Sequence, residues 1–377
     1  MLLSIVAAQS QNATNVWVFG KEAGLNFSGG SPVPFALTSN PPFNTNEGSS
    51  SILNRSGQLA FYTDGTTVWN RNHVAMPNGS GLLGNPSSTQ TALIVPRPVS
   101  NCERYYLFTL DAYEFAPSLT LRYSVVDMSL QGGLGNVTIK NVILKTGVAE
   151  KLAATADAAG SGFWVVAHGY THPTSAANSK FYSYHIAGNG LLNTVPVIST
   201  VGSPHQSSLL TSNQPSAGQM KISPNRQLIA CAVMAGFVEI LHFNPGSGQV
   251  TGPATTFSAF NPPFGTSHFV YGLEFSPNSQ LVYATTTLPP RLYQFRIFPP
   301  AGSLLANGVP GLDMGQLQLG PNNQIYVARS GNTHLGSIKA PNVFGGAVYT
   351  PNAVTLSPGS NSLLGLPTVI RGNVICQ

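Results

Sequence analysis

An all-β chain, folded as a β-propeller of seven four-stranded blades closed by its N- and C-terminal strands, is what this sequence predicts. Three observations carry that expectation. A strand–turn–strand unit recurs along the chain, no stretch has the periodicity of an amphipathic helix, and the two terminal apolar segments lack complete units of their own. No interior linker interrupts the pattern, so the chain divides into an N-terminal extension, 1–14, and one propeller domain, 15–377.

The unit is plainest in the C-terminal half. Met220-Lys221-Ile222-Ser223-Pro224-Asn225-Arg226-Gln227-Leu228-Ile229-Ala230 has counterparts from Leu273 to Ala284 and from Leu317 to Ala328. Each is an alternating strand, a Pro-Asn turn and a second apolar strand. Proline presets φ for the turn, and Asn tolerates the left-handed region. Looser versions run from Ser51 to Tyr62, from Ala92 through Pro96 to Phe108, and from Ala159 to Val166. Further strands follow, as at Phe237 to Phe243 and Arg291 to Ile297. The spacing, roughly 45 to 65 residues, suits four-stranded blades with loops of unequal length. The strand Asn15 to Gly20 and the last strands are then the two halves of a seventh blade, which removes the free edges of the ring.

Composition narrows the function classes. Hydrophobic residues make up 42%, enough for a large core, but charged residues only 8%, against about 25% in ordinary soluble proteins. A surface of Asn, Ser, Thr, Gln and Gly suits an extracellular or cell-surface setting. The net charge of +5 arises from scarce carboxylates, and the basic residues stand singly, as at Arg55, Arg97, Lys221 and Arg371, which argues against a nucleic-acid partner. No segment is long and apolar enough for a transmembrane helix. Three cysteines cannot make a disulfide framework: Cys231 lies in an apolar run, and Cys102 could pair with Cys376 if the termini meet.

With the repeats placed, the wording resembles a known family. The matching stretches include Trp17-Val18-Phe19-Gly20, Ala23-Gly24-Leu25-Asn26-Phe27 and Phe61-Tyr62-Thr63-Asp64-Gly65-Thr66-Thr67-Val68-Trp69-Asn70-Arg71. Ser87 to Pro96, Tyr271-Gly272-Leu273-Glu274-Phe275-Ser276-Pro277 and Gly365-Leu366-Pro367 continue the match. Over nearly its whole length the chain resembles the propeller-like N-terminal region of secreted Bacteroidota proteins associated with gliding motility or type 9 secretion. The resemblance implies export and a surface role, with no known reaction. Family turns read Ser-Pro-Asp-Gly, whereas here Asn replaces Asp and the glycine is lost, as at Asn225-Arg226.

Candidate chemical groups each have a plainer reading. Asp64-Gly65, between two apolar strands, is a hairpin signal in which both residues take positive φ. His168 and His172 have a helical metal spacing but sit at a strand end beside a Gly-Pro loop, without a further ligand. Glu47, Glu150, Glu239 and Glu274 stand out because acids are rare; two of them could meet in the central channel as general acid and base. The favoured alternative has Glu150-Lys151 and Arg71 bridging blades by hydrogen bonds. Sequons at Asn12, Asn26, Asn54, Asn78 and Asn136 are candidate glycosylation sites.

The sequence-based expectation is therefore a non-enzymatic exported protein with no catalytic residue, cofactor or metal. Its partner would be itself, as the subunit of an extracellular filament, with Leu2, Leu3, Ile5 and Val6 adding a strand to a neighbour's blade edge. Residues 1–11 could equally be a signal remnant. The alternatives are an adhesin or surface-glycan-binding module using Tyr113, Phe115, Tyr170 and Phe264, and a propeller lyase or hydrolase using channel carboxylates.

Overall fold

The computed structural model describes residues 15–98, 103–114, 119–171, 178–205, 214–234, 236–257, 269–307 and 314–372. Its strands form seven antiparallel sheets, the blades of a β-propeller. The first blade has three strands, β1 (Val16–Phe19), β2 (Ala23–Asn26) and β3 (Val33–Ala36). Six four-stranded blades follow. The second holds β4 (Ser50–Leu53), β5 (Leu59–Thr63), β6 (Thr67–Asn70) and β7 (Ala75–Ser80), and the third β8 (Ala92–Pro96), β9 (Arg104–Leu110), β10 (Thr120–Asp127) and β11 (Asn136–Thr146). The fourth is β12 (Val148–Ala156), β13 (Phe163–Gly169), β14 (Lys180–Ile186) and β15 (Val197–Thr200); the fifth is β16 (Met220–Ile222), β17 (Leu228–Val233), β18 (Phe237–Phe243) and β19 (Val250–Phe257). The sixth is β20 (Val270–Phe275), β21 (Leu281–Thr287), β22 (Pro290–Arg296) and β23 (Ala301–Asn307), and the seventh β24 (Met314–Leu319), β25 (Ile325–Arg329), β26 (His334–Lys339) and β27 (Val348–Thr355).

The termini close the ring. Lys21 and Asn361 exchange backbone hydrogen bonds at 2.9 and 3.0 Å, which sets the C-terminal segment beside β1. That segment then runs parallel to the inner strands, pairing Pro367 with Ser49 and Arg371 with Thr155. Trp17, Phe19 and Leu25 pack against Tyr326, Leu335 and Leu356 of the last blade and the stretch after it. The sequence predicted this closure because neither end could bury its apolar strand alone.

Blade cores form where strands are apolar on both faces. All nine residues of β12 are buried, as are all seven of β13, since each blade is packed between two others. The Pro-Asn turns work differently from the expectation. Asn225, Asn278 and Asn322 do not take the left-handed conformation; their side-chain Oδ1 accepts the backbone N–H two residues on, at 3.1, 3.2 and 3.4 Å. The following residues, Arg226, Ser279 and Asn323, carry φ of 63°, 61° and 61°. That is the position where the resembled family has glycine, and here ordinary side chains bear the strain.

Candidate active site at the channel mouth

The inner strands begin at one end of the central channel, and polar residues stand at or beside that end of each. Three are glutamines that tie blades together, some of them not adjacent in the ring. Gln90 Oε1 accepts from the N–H groups of Met220 at 2.8 Å and Leu152 at 3.1 Å. Gln219 Oε1 accepts from Leu273 and Leu317, both at 2.9 Å, and its Nε2 donates to Gln316 Oε1 at 3.2 Å. Gln316 Oε1 also receives Leu366 N–H at 3.0 Å, while its Nε2 donates to the Thr89 carbonyl. This girdle binds inner-strand backbone that would otherwise be unsatisfied in a narrow channel.

Glu47 and Glu150 lie in the same tier. Glu150 is fully buried: Oε2 accepts Thr89 N–H at 2.8 Å and its hydroxyl at 2.9 Å, and Oε1 accepts Tyr113 N–H at 2.7 Å. Glu47, 8% exposed, accepts a 2.6 Å hydrogen bond from the Tyr271 hydroxyl on β20. Gly365 backs it so closely that a Cβ there would lie 1.4 Å from the Glu47 carbonyl oxygen. Neither carboxylate forms an ion pair among the described residues, and the exposed Glu114 adds a third negative charge nearby. Burial, followed by repulsion from Glu150, pushes Glu47 well above the usual carboxylate range. Burial raises Glu150 to about 7 against the hydrogen bonds from Thr89 and Tyr113. Both carboxyls are therefore held towards the protonated form, Glu150 by burial and Glu47 by burial and the charge of Glu150, while their hydrogen bonds go to Tyr271, Thr89 and Tyr113 and not to each other.

Further along the channel the balance changes. Glu274 Oε2 lies 3.6 Å from Lys221 Nζ, and its Oε1 pairs with the guanidinium of Arg371. Its two oxygens also accept the N–H groups of Phe275 and Leu319, each at 2.8 Å. Lys221 donates to Gln318 at 2.6 Å, and burial brings its ammonium down to about 8. This is a structural ion cluster that pins the C-terminal segment across the channel.

The other sequence candidates fall as follows. Asp64 is a turn residue: Oδ1 accepts Thr66 N–H, Thr66 hydroxyl and Thr67 N–H, all at 2.8 Å. Only Gly65 has positive φ, 85°, so the expected pair of left-handed residues is corrected to a side-chain-capped turn. The blade-bridging reading also describes real contacts: Glu150 reaches Thr89, Lys151 donates to the Ser216 and Ala217 carbonyls at 2.9 and 2.6 Å, and Arg71 to Gly133 at 2.5 Å. His168 is buried and stacks on His205; Glu239 lies beside His205, away from the Glu47 pair. Asn54 caps its own turn, and Asn78 donates to Asn136 at 3.2 Å. Asn26 Oδ1 accepts Ser28 N–H. Leu2, Leu3, Ile5, Val6, Asn12, Cys102, Phe115, His172, Phe264 and Cys376 lie outside the described residues. Sequence reasoning missed Tyr271, His205 and the three glutamines. The available signal was a glutamine recurring at the head of inner strands, at Gln90, Gln219 and Gln316.

No family model and no curated protein matches the sequence. Solved structures do match the fold. A protein from Lactobacillus plantarum superposes with a TM-score of 0.58 at 12% identity, covering 94% of this chain and 98% of its own. A candidate 6-phosphogluconolactonase from Bacteroides fragilis gives 0.55 at 9%, over 94% and 98% of the two chains. Another from Bacteroides uniformis gives 0.56 at 10%, over 92% and 98%. At such identities the likeness establishes the propeller alone. The expectation of a non-enzymatic filament subunit is nonetheless corrected: propellers of this form include proteins that carry the name 6-phosphogluconolactonase. Among the described residues, no helix is long and apolar enough to cross a membrane.

Proposed function

We propose that this propeller is a hydrolase acting on the ester bond of a sugar lactone at the channel mouth. The observation that carries the reading is the Glu47–Glu150 pair: both buried, without an ion-pair partner among the described residues, and both raised above the usual carboxylate range. In this reading Glu47, slightly less buried than Glu150, meets the substrate, and Tyr271 fixes its orientation. The ionised oxygen of the pair takes a proton from water as the water oxygen bonds to the lactone carbonyl carbon. The protonated oxygen gives its proton to the ring oxygen as that C–O bond breaks, yielding the open hydroxy acid. The name shared by two of the structural neighbours supports lactone as the ester class.

The test is hydrolysis of D-glucono-1,5-lactone above its spontaneous rate. The intact chain should accelerate it, and Glu47→Gln should remove the acceleration while the melting temperature holds. A chain that leaves the spontaneous rate unchanged would end this reading. Placement outside the cytoplasm belongs to the same proposal. It is supported by the 8% charge content and the resemblance to type 9 secretion cargo, with the sequon asparagines as candidate modification sites. Protease accessibility on whole cells checks it.

A further inference from the structure

A second buried polar cluster lies between the fourth and fifth blades, and the proposed reaction does not use it. His168, near the end of β13, and His205, in the connection after β15, are both wholly buried. Their rings lie face to face, with centroids 3.6 Å apart and planes 11° from parallel. His168 Nδ1 is 2.7 Å from the Gly169 carbonyl oxygen, which can only accept, so Nδ1 carries the proton and Nε2 is a bare lone pair. Among the described residues that Nε2 has no hydrogen-bond partner, and neither nitrogen of His205 has one. Glu239 Oε2 likewise has no hydrogen-bond partner among the described residues, lying 3.8 Å from His205 Nε2, while Oε1 accepts Ser203 N–H at 2.7 Å. Buried polar atoms left unpaired in this number require a reason.

A metal is not that reason. Parallel stacked rings cannot aim in-plane lone pairs at one ion, and among the described residues no three His, Cys, Asp or Glu side chains are grouped to hold one. The surroundings instead make the cluster sensitive to protons. Lys151 faces both rings from β12, Glu239 faces His205 from β18, and the inert buried thiol of Cys231 on β17 lies beside Lys151 and Glu239. Phe181 on β14 and Phe237 on β18 close the ring edges. Burial, then for His168 the second ring, and the Lys151 ammonium all oppose an imidazolium, holding both histidines well below 6.5.

We propose that the stacked His168–His205 pair is an acid-sensitive latch: it holds the fourth and fifth blades together while both rings are neutral and releases that seam when they take up protons. The sign follows from linkage. In the opened seam the rings regain an ordinary affinity for protons, so the closed form is fully favoured above pH 6.5 and loses ground as pH falls through it. The opening equilibrium should rise about tenfold per pH unit for one proton taken up and about a hundredfold for two.

Hydrogen exchange on the full chain between pH 7 and 4.5, expressed as protection relative to free amides, reads this directly. Protection in β12, β13, β17 and β18 should fall tenfold or more per pH unit below 6.5, while β5 and β25 hold. The double variant His168→Phe, His205→Phe keeps the stack without the protons and should keep the seam protected. An acid-independent seam in the native chain, or an unchanged fall in the double variant, overturns the latch. Should that variant not fold, the imidazole proton resonances of the native chain decide: both rings silent until the seam opens supports it, and titration near 6.5 with the seam closed overturns it.

Discussion

The two tiers of the central channel hold the same residue type in opposite circumstances. At the mouth, Glu47 and Glu150 feel each other's charge and that of Glu114, form no ion pair among the described residues, and sit among hydroxyl and backbone donors. Deeper, Glu274 is flanked by Lys221 and Arg371 and accepts two backbone N–H groups. Burial penalises a carboxylate in both places. Only in the deeper tier do cations offset it, and there the acid serves stability. At the mouth the uncompensated penalty is kept as proton affinity, which is what an acid–base pair requires. The difference separates the structural glutamate from the two proposed to act on substrate more sharply than burial does.

If that division is correct, the deeper tier should answer to mutation with stability. Removing the residues after Leu356 takes away Arg371, Leu366 and the Lys21–Asn361 closure, and should abolish cooperative unfolding. Glu274→Ala takes the counter-ion from Lys221 and Arg371 and the acceptor from two N–H groups, and should cost about 3–5 kcal/mol in denaturant titration. Gln219→Leu removes the acceptor of Leu273 and Leu317 N–H, an expected loss of ~2–4 kcal/mol without a change in the pH profile.

The mouth should answer differently. Glu150 is raised from 4.5 to about 7 in the folded chain, so its contribution to stability is complete below about pH 4.5 and is lost as pH rises towards 7. Glu150→Gln should therefore flatten stability across that window while lowering lactone hydrolysis about 10²–10⁴-fold. The smallest effect is expected outside the channel: Asn323→Gly relieves a left-handed φ of 61° and should stabilise by a few tenths of a kcal/mol, read from the melting temperature.

The blades were legible because their signal is local. Alternating strands around Pro-Asn turns are written within a dozen residues, and closure follows from two incomplete ends. Glu47 and Glu150 could be singled out as rare acids, and their meeting in the channel was one of the weighed alternatives. Their roles were not legible, because the features that distinguish Glu150 from Glu274 are set by residues more than sixty positions away or across the ring, such as Thr89 and Arg371. Tyr271 against Glu47, separated by 224 positions, leaves no pattern in the chain. His205 escaped notice for the same reason, since the helical spacing of His168 and His172 drew attention to the wrong partner.

The central claim, that burial and mutual repulsion hold both carboxyls at the mouth above the usual carboxylate range, is tested most directly by following the side-chain carboxyl carbons of Glu47 and Glu150 by NMR as pH is raised. The account predicts two coupled steps, one near pH 7 and the other well above the ordinary carboxylate range, each perturbed when the other residue is replaced by Gln. Two independent ionisations near 4.5, with the fold intact, would contradict it.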